Sequence, residues 1–250
     1  MSETKKDYQA RTDLLKDRVI LITGAGDGIG AAAARSCAAH GATVILLGRT
    51  TRKLEAVYDA IESAGHPQPA IYPMNLEGAA PKDYEDLAAT IEKEFGRLDG
   101  LLHNASLLGT LTPLGQYDIA QWSKVMQVNL NAPFLMTRAC LDLLKKSDDA
   151  SVLFTSSSVG RKGRAYWGAY GISKAANENM MQILADELEN NTTVRANSIN
   201  PGAVRTTMRA RAYPGEDPNA LPKPDAIMAT YLYLLGPDSK GVTGQQFDAQ

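Results

Sequence analysis

The sequence predicts a three-layer, doubly wound α/β fold with a mainly parallel sheet, in a single domain. Three observations lead there. Short runs such as Val19 to Ile22 and Val44 to Leu47 are apolar throughout, as strands buried on both faces are. Helical patterns alternate with those runs along the chain. A glycine-rich turn at residues 23–30 joins the first strand to the first helix. The length of 250 residues suits one such domain.

Taken in order, residues 1–16 are polar and read as a loose N-terminal arm, with the domain proper over 17–250. Arg18 to Thr23 is the first strand. Gly28 to His40 is an alanine-rich helix, with Gly41 placed to end it. Thr43 to Leu47 is a strand, and Leu54, Val57, Tyr58 and Ile61 have amphipathic helical spacing. Ala70 to Met74 is a strand; Tyr84, Leu87, Ala88 and Ile91 repeat the helical spacing; Leu98 to Leu102 is a strand. Ile119 to Lys146 reads as helix interrupted near Asn129 and Pro133. Ser151 to Thr155 (strand), Ala169 to Leu188 (helix) and Val194 to Ile199 (strand) follow. After a proline-rich stretch, a short helix runs through Tyr231, and Gln246 to Asp248 is the last strand.

Composition narrows the function classes. A net charge of −2 lacks the basic excess of a nucleic-acid binder. No apolar run is long enough to cross a bilayer, and Met1 to Lys16 has no signal-peptide core. Cys37 and Cys140 are far apart, and His40, His66 and His103 have no ligand-like neighbours, so no metal site is expected. A cytoplasmic protein fits these features.

The turn reads Thr-Gly-Ala-Gly-Asp-Gly-Ile-Gly. At the first strand–helix junction, glycines allow a dinucleotide pyrophosphate to approach the backbone and the helix N-terminus. Gly24, Asp27, Gly28, Ile29 and Gly30 are the candidate contacts. No Gly-Lys-Ser/Thr follows, which disfavours a nucleotide-triphosphate loop. The second strand ends Leu46-Leu47-Gly48-Arg49, with no acid to hold a ribose 2′-hydroxyl. Arg49 can grip a 2′-phosphate instead, so NADP(H) is expected over NAD(H), which stays possible. The acidic Asp27 cuts against that preference.

Tyr170 and Lys174 are four residues apart and share a helix face. A neighbouring ammonium favours the phenolate and lowers a phenol's pKa, which makes the pair a tunable acid/base. The run Phe154 to Gly160 ends the strand just before them. With the glycine turn, Asn104-Ala105, Asn129, and Asn200-Pro201-Gly202 through Thr206, these motifs resemble the short-chain dehydrogenase/reductase family, from about Arg18 onward. Thr155 to Arg164 and Phe247 to Gln250 are most similar to its YciK-type bacterial members.

The resemblance implies a Rossmann-like oxidoreductase that interconverts a carbonyl and an alcohol by hydride transfer. It assigns Ser157 to polarise the carbonyl, Tyr170 to exchange the proton, and Lys174 to bind the nicotinamide ribose and lower the Tyr170 pKa. It has Asn129 hold a relay water. Asn75, Leu76, Asn104, Ala105, Pro201, Gly202, Val204 and Thr206 become further cofactor contacts. It also implies a homodimer or homotetramer. Ser106 and the ending Asp248-Ala249-Gln250 depart from the family pattern.

Residues 204–224 correspond to the family's substrate-covering loop. Arg205, Arg209 and Arg211 lie there, and Arg161, Lys162 and Arg164 follow the serine; they mark either an anionic substrate or a solvated face. Tyr166 and Trp167 fit a pocket lining or a subunit interface. A non-catalytic NAD(P)-binding sensor and a same-fold epimerase or dehydratase remain the alternatives.

Overall fold

Eight strands form one sheet in the computed structural model, which describes residues 3–250. They are β1 (Glu3–Thr4), β2 (Val19–Thr23), β3 (Thr43–Gly48), β4 (Ala70–Pro73), β5 (Gly100–His103), β6 (Ser151–Thr155), β7 (Arg195–Asn200) and β8 (Gln246–Asp248). Every pairing is parallel, in the order β1-β8-β7-β6-β5-β2-β3-β4. Chain order reverses direction between β2 and β5, so the crossovers there leave toward opposite faces and open a crevice at the strands' carboxyl ends.

The helices are α1 (Gly28–Ala39), α2 (Thr51–Ser63), α3 (Pro81–Phe95), α4 (Ile119–Met126), α5 (Ala132–Lys145), α6 (Ser158–Arg161), α7 (Gly168–Glu189), α8 (Thr207–Ala212) and α9 (Met228–Leu235). Alternation along β2 supplies both layers. Ile20 and Ile22 pack with α1, α2 and α9, while Val19 and Leu21 pack with α3, α5 and α7. The alanine face of α1 (Ala31 to Ala34, Ala38) is buried, which lets this helix lie close to the sheet. No helix among the described residues is long and apolar enough to cross a membrane.

Most strand and helix boundaries fall within two residues of those expected. Three differences have physical causes. The N-terminal segment is not loose: Glu3–Thr4 extends the sheet beside Phe247–Asp248, Leu14 and Leu15 are buried, and Tyr8 and Arg11 both reach Asp238, at 2.7 and 2.8 Å. Its polar composition masks two core leucines. Residues 1 and 2 lie outside the described residues. The interruption near Asn129 is a π-helical turn, Gln127–Asn131, which joins α4 to α5 without ending the helix. The stretch after Pro201 holds α8, capped by Thr206 Oγ1 on the Arg209 amide at 3.1 Å.

Candidate active site

One cleft at the carboxyl edge of the sheet runs from the glycine turn to Tyr170. Its floor is fixed by Thr23, which ends β2. The Thr23 hydroxyl accepts from the Asn104 and Ala105 amides at 2.9 and 3.0 Å, and Asn104 Nδ2 donates to the Thr23 carbonyl at 3.1 Å. The turn and the end of β5 are thus tied across the switch point.

Two glycines of the turn are required by this packing. At Gly30 a Cβ would stand 2.2 Å from the Gly24 carbonyl oxygen and 2.6 Å from Asn104 Nδ2, so no side chain fits. Gly24 has φ +68°, and a Cβ there would press on Ala105 Cα at 3.0 Å. Gly28 is different: a Cβ would meet only Thr206, at 3.5 Å. Asp27 caps α1, accepting from the Gly28 amide at 2.7 Å, and pairs with Lys53 Nζ at 2.5 Å. Lys53 and the Gly28 amide hold the Asp27 carboxyl below its usual range against a smaller effect of burial.

Arg49, Lys53, Asn75 and Leu76 line the cleft beyond β3. Arg49 is exposed and makes no ion pair among the described residues. Sequence reasoning missed Lys53; its place one helical turn after Arg49, at the start of α2, was the available signal.

At the other end, Ser157, Tyr170 and Lys174 converge. Tyr170 is 9% exposed and Lys174 is 2% exposed. Ser157 lies close enough to Tyr170 for its hydroxyl to act on the phenol. Ser156 is buried, with its amide on the Ile199 carbonyl, and Ser158 is exposed and outside the cleft lining. Close passage of α6 over α7 sets this geometry: a Cβ at Gly160 would be 2.7 Å from Lys174 Cβ.

The electrostatics differ from the sequence expectation. Burial pushes Tyr170 up to about 12, and the nearby Ser157 hydroxyl offsets only part of that. Burial pushes Lys174 down to about 8, opposed by the buried Glu178 one turn further along α7. The Tyr170 shift therefore runs opposite to the lowering expected from Lys174, and burial is its main cause. Lys174 Nζ lies 5.7 Å from the Tyr170 ring centroid and donates to the Thr155 carbonyl at 2.7 Å.

The Asn129 side-chain amide clamps Leu107, accepting from that amide at 2.7 Å and donating to that carbonyl at 2.9 Å. It donates to Ser173 Oγ as well, at 3.1 Å, and its own carbonyl accepts from Asn177 Nδ2 at 2.8 Å. The π-helical turn thus positions the loop that carries Ser106, Leu107 and Leu108 into the cleft wall.

The six cations do not form one mouth. Arg161 turns inward to Glu178 at 3.0 Å, Asp248 at 2.9 Å and the Phe247 carbonyl at 2.8 Å, tying α6 and α7 to β8. Glu178 also takes Ser198 Oγ at 2.5 Å and Gln246 Nε2 at 3.0 Å. Arg209 is paired with Glu216, and Arg205 donates to the Asn219 and Leu221 carbonyls. Lys162 and Arg164 lie outside the cleft lining, whereas Arg211 is in it.

Pro201, Gly202, Val204 and Thr206 line the cleft wall opposite the glycine turn. Gln250 Nε2 donates to the Pro201 carbonyl at 2.6 Å and the Ala203 carbonyl at 3.2 Å, so the unusual ending braces this segment. The residues fit a phosphorylated dinucleotide on their own chemistry. Arg49 and Lys53 supply cations, the glycine turn leaves its backbone bare, and Ser106 Oγ, Thr155 Oγ1 and Ser156 Oγ are buried cleft-lining atoms without a protein partner.

Comparison with known proteins adds a consistent picture. The family described as short chain dehydrogenase matches residues 18–217. A short chain dehydrogenase from Pseudomonas syringae is 64% identical with a TM-score of 0.96, covering 98% of this chain and 99% of its own. The uncharacterized oxidoreductase YciK of Escherichia coli is 52% identical, over 97% of this chain and 96% of its own length. A short chain dehydrogenase from Escherichia coli CFT073, solved in complex with NADPH, is 52% identical with a TM-score of 0.93, covering 96% of this chain and all of its own.

Proposed function

Since the chain belongs to the short-chain dehydrogenase/reductase family and is an oxidoreductase of that family, we propose that it interconverts a carbonyl and an alcohol with a preference for NADP(H). The observation that carries this reading is the convergence of Ser157, Tyr170 and Lys174 in the same cleft as the glycine turn. The NADPH complex of the Escherichia coli CFT073 relative supports the cofactor.

Gly24, Gly28, Ile29 and the α1 N-terminus would hold the pyrophosphate, and Arg49 with Lys53 the 2′-phosphate. Asn75, Leu76, Asn104 and Ala105 would flank the adenosine half, and Pro201, Gly202, Val204 and Thr206 the nicotinamide half. When bound, the cofactor supplies hydride from nicotinamide C4 to the carbonyl carbon and is left oxidised. Ser157 donates a hydrogen bond to the carbonyl oxygen. Tyr170 passes its hydroxyl proton to that oxygen as the C–O double bond becomes single, which gives the neutral alcohol. Lys174 keeps positive charge beside the phenolate this leaves. Asn129 acts as a positioning residue through Leu107.

Exposed Phe134 on α5 and exposed Ile172 and Ile183 on α7 suit the homodimer or homotetramer this family membership suggests. The two buried free cysteines fit a reducing cytoplasm.

Titration with NADPH and NADH, read by fluorescence, tests the cofactor reading. NADPH is expected to bind more tightly, and Arg49→Ala to weaken NADPH by roughly 10- to 100-fold while sparing NADH, the scale of a hydrogen-bonded ion contact. Equal loss for both cofactors, or no initial preference, refutes the assignment.

A further inference from the structure

The wall beside Tyr170 is aromatic. The Trp167 ring centroid lies 5.8 Å from that of Tyr170 and 5.9 Å from that of Tyr213, which joins the start of α7 to the end of α8. Leu107, Leu108 and Met208 line the same cleft.

The backbone is strained to place this wall. Tyr166 has φ +74°, a left-handed conformation that strains a non-glycine residue. It is held there: its carbonyl accepts from the Thr112 amide at 3.1 Å, and a Cβ on Gly168 would strike the Tyr117 ring at 2.7 Å. The twist turns Tyr166 out, 59% exposed, while Trp167 faces the cleft.

Charge near this wall is already satisfied. The Arg209 guanidinium sits 3.7 Å from the Tyr213 ring centroid and is bound through two nitrogens to Glu216, at 2.6 and 2.7 Å. The bidentate edge of this guanidinium is therefore closed to a substrate carboxylate, and its charge is largely neutralised. Arg211 also lines the cleft but is exposed, where an ion pair contributes little. Aromatic faces reward a flat apolar group that stacks on them.

We infer that the substrate is an uncharged aromatic or similarly planar, bulky carbonyl compound, packed against Trp167, which Tyr213 braces, with its carbonyl oxygen at Ser157 and Tyr170. This rests on the carbonyl-reduction reading above and specifies its substrate class. Each turnover consumes one carbonyl, one NADPH and one proton, and yields one alcohol and one NADP+.

The test is a panel at saturating NADPH: a neutral aryl ketone or aldehyde, a linear aliphatic one of similar size, and the aryl compound carrying a carboxylate. The neutral aryl compound is expected to exceed both others in kcat/KM by about tenfold, the value of one good aromatic contact. Trp167→Ala should abolish the aryl-to-aliphatic ratio, chiefly through KM, and Trp167→Phe should restore it; a ratio is insensitive to general loss of active protein. If Trp167→Ala does not fold, quenching of wild-type tryptophan fluorescence by a neutral aryl alcohol in the NADP+ complex, against its carboxylated analogue, gives the same answer. Aliphatic or carboxylated carbonyls turned over as well or better overturn the substrate class and leave carbonyl reduction standing. Bound NADPH with no turnover of any carbonyl overturns the reduction reading and the inference with it.

Discussion

His103 ends β5 and is buried, with Nε2 hydrogen-bonded to Thr137 Oγ1 at 2.8 Å and its ring 4.8 Å from that of Phe154. Burial, and secondarily the Lys174 charge, push it down to about 3, from 6.5 for the free side chain. It is therefore neutral when folded and protonates readily only when unfolded. Below about pH 6.5 the unfolded chain binds the extra proton, so this residue's contribution to stability falls as pH falls. From about pH 8 to pH 4.5 the drop is two pH units at 1.36 kcal/mol each, about 2.7 kcal/mol. Asn at this position keeps a hydrogen-bonding group and removes the titration. Urea unfolding of wild type and His103→Asn at both pH values isolates the effect, because other titrating groups cancel in the difference. The variant should lose about 2.7 kcal/mol less than wild type on acidification. Equal losses would show that His103 titrates alike in both states and that its enclosure exacts no charge penalty.

Tyr170→Phe should lower kcat by roughly 100- to 10,000-fold with NADPH binding retained, as for a lost general acid; single-turnover absorbance of NADPH reads it. Glu178→Gln should shift the alkaline limb of the pH–kcat profile to lower pH, because the carboxylate raises the Lys174 pKa, itself about 8. An unchanged limb would mean that Lys174 does not set it. Gly30→Ala should abolish binding of both cofactors or fold poorly, because its Cβ would lie 2.2 Å from the Gly24 carbonyl oxygen. Calorimetry with NADPH, alongside a melting curve, separates those two outcomes.

The legible part of this protein is the part encoded locally. Apolar runs marked the central strands β2, β3, β5 and β6, and glycine spacing located the switch-point turn. Tyr170 and Lys174 were visible because a helix brings residues four apart onto one face. What escaped depends on partners distant in sequence. Arg161 reads as a surface cation until α7 and β8 surround it with Glu178 and Asp248. The π-helical turn also commits the Asn129 side-chain amide to Leu107, 22 residues away, a contact with no local signal. Asp27 looked like an obstacle to phosphate, but Lys53, 26 residues on, already neutralises it. Leu14 and Leu15 were masked because two apolar residues in a charged segment carry no periodic signal.

The upward shift of Tyr170 is compatible with its work as an acid. Reduction generates an alkoxide, a base comparable to hydroxide and much stronger than a phenolate. A phenol at about 12 still transfers its proton to that oxygen downhill. Burial moreover keeps Tyr170 protonated across the neutral range, while Lys174, at about 8, remains mostly charged below that pH. The two shifts leave a neutral donor beside a cation that stabilises the phenolate once the proton has gone. Alcohol oxidation needs the opposite state, a phenolate at the outset, and burial disfavours it. Its rate should therefore climb with pH well above neutrality, whereas reduction should decline as pH rises through about 8 and Lys174 loses its charge. Forward and reverse profiles of one substrate pair would separate these limbs, and coincident limbs would show that a single group, shared by both directions, governs the chemistry.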